Sequence, residues 1–222
     1  MIPLRDINPR YSFPAVTVSL VAANLLVFIH ELTLGPLELR ALFFTYGMIP
    51  ARLEAFFSHP AVSLPDVAVP LVTNIFLHGG WLHLIGNMWF LWVFGDNIED
   101  RMGHGRFLGF YIVCGVGAAL AHSVAEWGSR IPAVGASGAV AGVLGAYYVL
   151  FPHSRVVTLV PLVVMWFTVR LPAVFVLGYW MAIQVISGIT SLGHGGGQGV
   201  AWWAHIGGFL LGALLARGLR KY

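Results

Sequence analysis

The chain has 222 residues, of which 58% are apolar and only 9% charged. A soluble domain carries about 25% charged residues, so this chain lacks the polar surface to face water on all sides. The formal net charge of +3 is spread over loops rather than gathered in a patch, which removes nucleic acid from the candidate partners and leaves the lipid bilayer. The fold class expected is an all-α polytopic membrane protein of one domain, residues 1–222, with six transmembrane helices.

Six apolar stretches can be drawn, at 14–34, 80–98, 106–125, 137–151, 171–189 and 200–216. Most approach the ~20 residues that cross a ~30 Å hydrocarbon core. The first follows Arg5 and Arg10 but is too long for a secretory h-region and ends in no small-x-small cleavage site, so it reads as a retained helix. The first outer loop, 35–79, contains "GPLELRALFFTYGMIPARLEAFF", which is apolar yet carries Glu38, Arg40, Arg52 and Glu54. Such a segment suits helices lying in the outer interface. After span two, "GDNIEDRMGHGR" reads as a solvated, salt-bridged turn. Span three holds the single cysteine, Cys114, expected to pack as an inert apolar group. Before span five, two prolines and Arg170 mark residues 156–169 as an apolar piece lying on the surface. Loop five, "SLGHGGGQGVAWW", is glycine-rich, and Trp202 with Trp203 fits an interfacial aromatic belt.

The basic residues orient the chain. With the N-terminus inside, nine fall on inner segments, Arg220 and Lys221 among them, and only Arg40, Arg52 and Arg130 on outer ones. The positive-inside rule then puts both termini in the cytoplasm.

Polar side chains inside spans are expensive and functional by default. His83 and Asn87 on span two, Ser137 on span four and His205 on span six each lie in the first third of a span running from outside to inside. Parallel helices place such residues at one depth, ~10 Å below the outer surface at ~1.5 Å per residue. His83 and Asn87 also share a helix face. Each residue taken singly has a structural reading: a serine bonded to its own helix, a satisfied histidine, an interhelical amide. Their shared depth argues against four coincidences.

Span four, from Ser137 to Phe151, is short, and "RIPAVGA" before it holds a proline and a glycine. The chain is therefore expected to reach Ser137 as irregular backbone inside the membrane, which is tolerated only against protein or a water-filled cavity. A serine at a helix start beside water needs a base. Lys221 is the only lysine, and the acidic residues are absent from spans four and six, which leaves His205. Gly208 and Gly212 give span six a small-residue face, matched by Gly138, Ala141, Gly142 and Gly145 on span four. Close packing would bring His205 to Ser137 as a Ser–His dyad, with His83, Asn87 and the Ser137 N–H as oxyanion donors. His78, at the mouth of span two, is expected to play a supporting structural part, and His122 on span three has no assignment.

The runs "FLHGGWLHLIGNMWFLWVFG", "GASGAVAG" and "AHIGGFLLG" resemble the three signature segments of the rhomboid family of intramembrane serine proteases, bacterial type. "YGMIPARL", "EDRMG" and "VLFPHSRV" extend the resemblance over about residues 44 to 216. It implies a six-helix rhomboid bundle that cleaves transmembrane segments of single-span proteins, in a bacterial inner membrane and without a cofactor or metal. On those motifs Ser137 corresponds to the nucleophile, with Gly135 and Gly138 around it, and His205 to the base. His83 and Asn87 correspond to oxyanion-hole side chains, and span five with loop five to the moving part. Two features depart from some members: Ala141 stands where an aromatic would stack on the base, and the first outer loop has no Trp–Arg pair. The rival readings are a membrane protein whose His83, His122 and His205 ligate haem or a metal, and a catalytically silent rhomboid-like binder.

Overall fold

The computed structural model describes residues 1–162, 165–192 and 200–219. Most of loop five, with Arg220 and Lys221, lies outside the described residues. In chain order the elements are β1 (Ile2–Asp6), α1 (Ala15–Thr33), α2 (Pro36–Tyr46), α3 (Pro50–Ser58), α4 (Leu64–Thr73), α5 (Trp81–Met102), α6 (His104–Ala125), α7 (Ser137–Leu150), β2 (Arg155–Leu162), β3 (Met165–Pro172), α8 (Ala173–Leu192) and α9 (Trp202–Ala216).

The six apolar stretches become α1, α5, α6, α7, α8 and α9, in a mostly helical membrane fold. Among the described residues three helices, α1, α6 and α8, are long and apolar enough to cross a membrane. The segment Leu64–Phe76 and α5 pass together, bent by 82°. The two shorter apolar helices are α7 and α9, and they are the two that carry Ser137 and His205. Helix α7 lies at the centre. From Gly138 to Tyr147 every residue is buried, because α5, α6, α8 and α9 surround it. A helix apolar on all sides is stable only in such a position.

The loop between the first two spans is helical, as expected, over α2, α3 and α4. It is stitched to the chain ahead of α7. Met48 and Ala133 exchange two backbone hydrogen bonds of 2.9 and 2.7 Å, and the Gly135 N–H donates to the Asn74 carbonyl at 2.8 Å. The irregular backbone before Ser137 is thus satisfied by protein.

Two features differ from the expectation. The apolar piece before α8 is a hairpin, β2 with β3, and β1 joins it antiparallel, pairing Ile2 with Leu159 and Asp6 with Val156. The run "RVVTLV" is β-branched, which favours a pleated strand, and the N-terminal strand gives it a partner. The turn after α5 is also less solvated than its charges imply. Helix α1 has no side-chain cap of its own. The buried Glu99 carboxylate supplies one, accepting from Val16 N–H and Thr17 N–H at 2.8 Å each and from the Thr17 hydroxyl at 2.7 Å. Glu99 also meets His104 Nδ1 at 2.5 Å. Asp100 accepts from Tyr11 N–H and the Ser12 hydroxyl, and Arg10 pairs with Asp96 at 3.5 Å. These ties hold the start of α1, the end of α5 and the start of α6 at one end of the bundle.

Asp6 makes this end pH-sensitive. Its carboxylate accepts from the Tyr147 hydroxyl at 2.6 Å. Burial pushes the acid up from 3.8 to about 6, with Asp96 adding to the rise and the Tyr147 hydrogen bond opposing it. A raised acid contributes stability that is complete below its ordinary value and lost as the pH climbs through about 6. Asp6→Asn removes the titrating group and retains an acceptor. Its melting temperature relative to the parent should therefore rise between pH 4 and pH 8, and a pH-independent difference would show that Asp6 does not titrate in this window.

Candidate active site

The contact between α7 and α9 is built from glycines. A Cβ at Gly208 would overlap the Gly138 carbonyl, one at Gly212 the Gly142 carbonyl, and one at Gly145 the Phe209 carbonyl. The two backbones therefore touch with no side chain between them, the approach small residues permit in membranes. A Cβ at Gly138 would also sit 3.7 Å from the carbonyl oxygen of Ala204. Ser137 and His205 are the sequence neighbours of this pair, and both line one cavity of about 590 Å³.

His83 and Asn87, from α5, line the same cavity. Gly135 holds them beside the segment that ends in Ser137. Its φ of +129° suits only glycine, and a Cβ there would stand 2.6 Å from His83 Cε1 and Nε2 and 3.7 Å from Asn87 Nδ2. The Gly79 N–H approaches His83 Nδ1 at 3.4 Å, which leaves the Nε2 N–H on the Gly135 side. His78 is fully buried, with Nδ1 3.3 Å from the Phe76 carbonyl and Nε2 3.0 Å from Asn87 Nδ2. A carbonyl only accepts, so Nδ1 carries the proton and Nε2 accepts from the Asn87 amide. One amide hydrogen of Asn87 is thereby tethered and the other remains available. At Ser137, α7 begins with no side-chain cap, so its first-turn N–H groups are without the usual partner.

A model of the Rhomboid domain matches residues 65–222, which is more than half of the chain. The chain belongs to the rhomboid family. Rhomboid protease GluP of Bacillus subtilis is 35% identical over 145 residues, 65% of this rhomboid and 25% of the relative. Rhomboid-like protein 11, chloroplastic, of Arabidopsis thaliana is 33% identical over 159 residues, 68% of this chain and 52% of the relative. RHOMBOID-like protein 5 of the same plant is 40% identical over 76 residues, 34% and 25% respectively. This rhomboid spans only about a quarter to a half of the length of these relatives. One of the three names is a protease's and two are not, so membership makes the chain a multi-pass membrane protein without assigning an activity.

Around the four polar residues this rhomboid has others that sequence reasoning missed. The Glu31 carboxylate, from α1, accepts from the His78 N–H at 3.1 Å and so anchors the residue that holds Asn87. Gln184, from α8, meets His205 Nδ1 through its Oε1 at 2.7 Å. Trp180, one turn earlier, lies with its ring centroid 5.7 Å from the imidazole at 37°. The cost of polar groups inside spans applies to Glu31 and Gln184 as much as to His83, and it is the signal that would have found them. His122 lines the cavity with Nδ1 unpartnered among the described residues. Among those residues no three His, Cys, Asp or Glu side chains converge on one point.

Proposed function

We propose that this rhomboid is an intramembrane serine endopeptidase that cuts transmembrane segments of membrane proteins, single-span ones foremost. The observation that carries the reading is the cavity shared by Ser137 and His205, whose helices meet backbone to backbone. A substrate helix is 10–12 Å across with its side chains and has its carbonyls hydrogen-bonded internally, so it must unwind locally to present one peptide bond.

Ser137 Oγ attacks the carbonyl carbon while His205 Nε2 takes the hydroxyl proton. The developing oxyanion is held by the His83 Nε2–H, the free Asn87 amide hydrogen and the Ser137 N–H. The tetrahedral intermediate expels the amine, which leaves with the proton from His205. Water then attacks the acyl-enzyme, His205 again serves as base, and Ser137 regains its proton. The distribution of basic residues supports a cytoplasmic location for both termini, which sets the cavity towards the outer leaflet.

A fluorophosphonate probe tests the chemistry without a known substrate. It should label the wild type stoichiometrically at Ser137, leave Ser137→Ala unlabelled, and react far more slowly with His205→Ala. Labelling of Ser137→Ala at the wild-type rate would refute the assignment.

A further inference from the structure

We infer that Gln184 is a positioning residue that fixes the tautomer and orientation of His205, so that the base of the site is set by α8 and not by a residue of α7 or α9. The inference rests on the protease reading for its kinetic consequence, but the geometry stands on its own.

The Gln184 carboxamide is buried and makes two hydrogen bonds of opposite sense. Its Nε2 donates to the Trp180 carbonyl at 3.2 Å, an atom that can only accept. That bond determines which end of the amide is which, because a flipped amide would set two acceptor oxygens against each other. Oε1 therefore faces His205 Nδ1 at 2.7 Å, and Nδ1 must be the donor. In the neutral imidazole the proton on Nδ1 leaves the lone pair on Nε2, the nitrogen a general base uses. The amide here does what a carboxylate does in a Ser–His–Asp triad, which is to hold the tautomer and the ring angle, but it brings no charge into the membrane.

The rest of the surroundings agree. Ala141 leaves the α7 side of the imidazole without an aromatic ring. On the α8 side Trp180 lies across the ring, while Trp202, from the start of α9 itself, stands edge-on at 6.2 Å. Trp180 and Gln184 are four apart, so one face of α8 supplies both contacts. The opposite face exposes Phe175, Tyr179, Ile186 and Ile189, which places α8 at the rim of the bundle. A displacement of α8 by more than a hydrogen-bond length frees the imidazole to rotate or change tautomer.

The test uses the full chain in lipid nanodiscs, with a transmembrane reporter. Gln184→Met, which fills the volume but offers no strong acceptor, should lower kcat by about 10²-fold with KM within twofold. That is less than the ~10⁴ that follows when the wrong tautomer is enforced, because the free imidazole still samples the right one. Gln184→Glu keeps an oxygen facing Nδ1, its other oxygen carrying a proton that donates to the Trp180 carbonyl in place of the amide N–H, and should stay within about fivefold of the wild type. The ¹⁵N spectrum of labelled histidine should show His205 protonated at Nδ1 in the wild type and in Gln184→Glu, and mixed in Gln184→Met. If Gln184→Met does not fold, Gln184→Asn, whose amide is one carbon short, takes its place. An unchanged kcat and tautomer in Gln184→Met, or in Gln184→Asn where it stands in, or a loss in Gln184→Glu as deep as in either, would overturn the inference. A wild type that neither cleaves nor labels would sink the protease reading instead, and the ¹⁵N tautomer would still report on Gln184.

Discussion

Ser137→Ala is expected to lower cleavage of a membrane-embedded reporter by on the order of 10⁶, the scale seen when a serine nucleophile is removed from a catalytic unit. His205→Ala should fall to a similar floor, and the double variant should go no lower, because two residues acting as one unit are not additive. The fold should survive. Ser137 is half-buried at the first position of α7, and alanine is the better helix former. Melting temperatures within a few degrees of the wild type, with cleavage abolished, are the expected pair of results. Cleavage above a per cent of the wild-type rate in Ser137→Ala would place the nucleophile elsewhere.

Gly212→Val is expected to destroy the site from 7 residues beyond His205, by prying two helices apart. The new Cβ would overlap the carbonyl, carbon and Cα of Gly142. These are backbone atoms and cannot swing aside as a side chain can. Helix α7 cannot retreat either, since its other faces are buried against α5, α6 and α8. Overpacking a core costs about 1–3 kcal/mol where side chains can adjust, and a clash of backbone on side chain should reach or exceed the upper end. That is a large part of a typical 5–15 kcal/mol stability. Gly109→Ala is the matched control, because nothing lies within 4 Å of a Cβ there. It should be neutral or stabilising by up to about 1 kcal/mol. Thermal unfolding and probe labelling of the two variants check both halves, and equal behaviour would show that the glycine seam is not close-packed.

The helices of the bundle were legible because each is a continuous apolar run. The convergence of Ser137, His205, His83 and Asn87 on one cavity was legible because parity of crossing fixes which helices run in the same direction. The glycine seam could be anticipated from small residues spaced four apart on both partners. The sheet was not legible. Its first strand is five residues long, and its partner lies some 150 residues away, so no local periodicity announces the pairing. Glu99 reads as a surface charge until the uncapped start of α1 arrives beside it. Gln184 sits in an apolar run, and its partner, 21 residues on, becomes visible only once α8 and α9 are placed side by side.

The backbone bridge between Met48 and Ala133, with the Gly135 N–H on Asn74, makes the loop between the first two spans part of the mount that presents Ser137. Anyone grafting that loop from one relative onto another would be exchanging half of a joint. A chimera that transfers residues 46–76 without 129–136 should insert and fold as a bundle yet turn over poorly, and one that carries both segments together should recover.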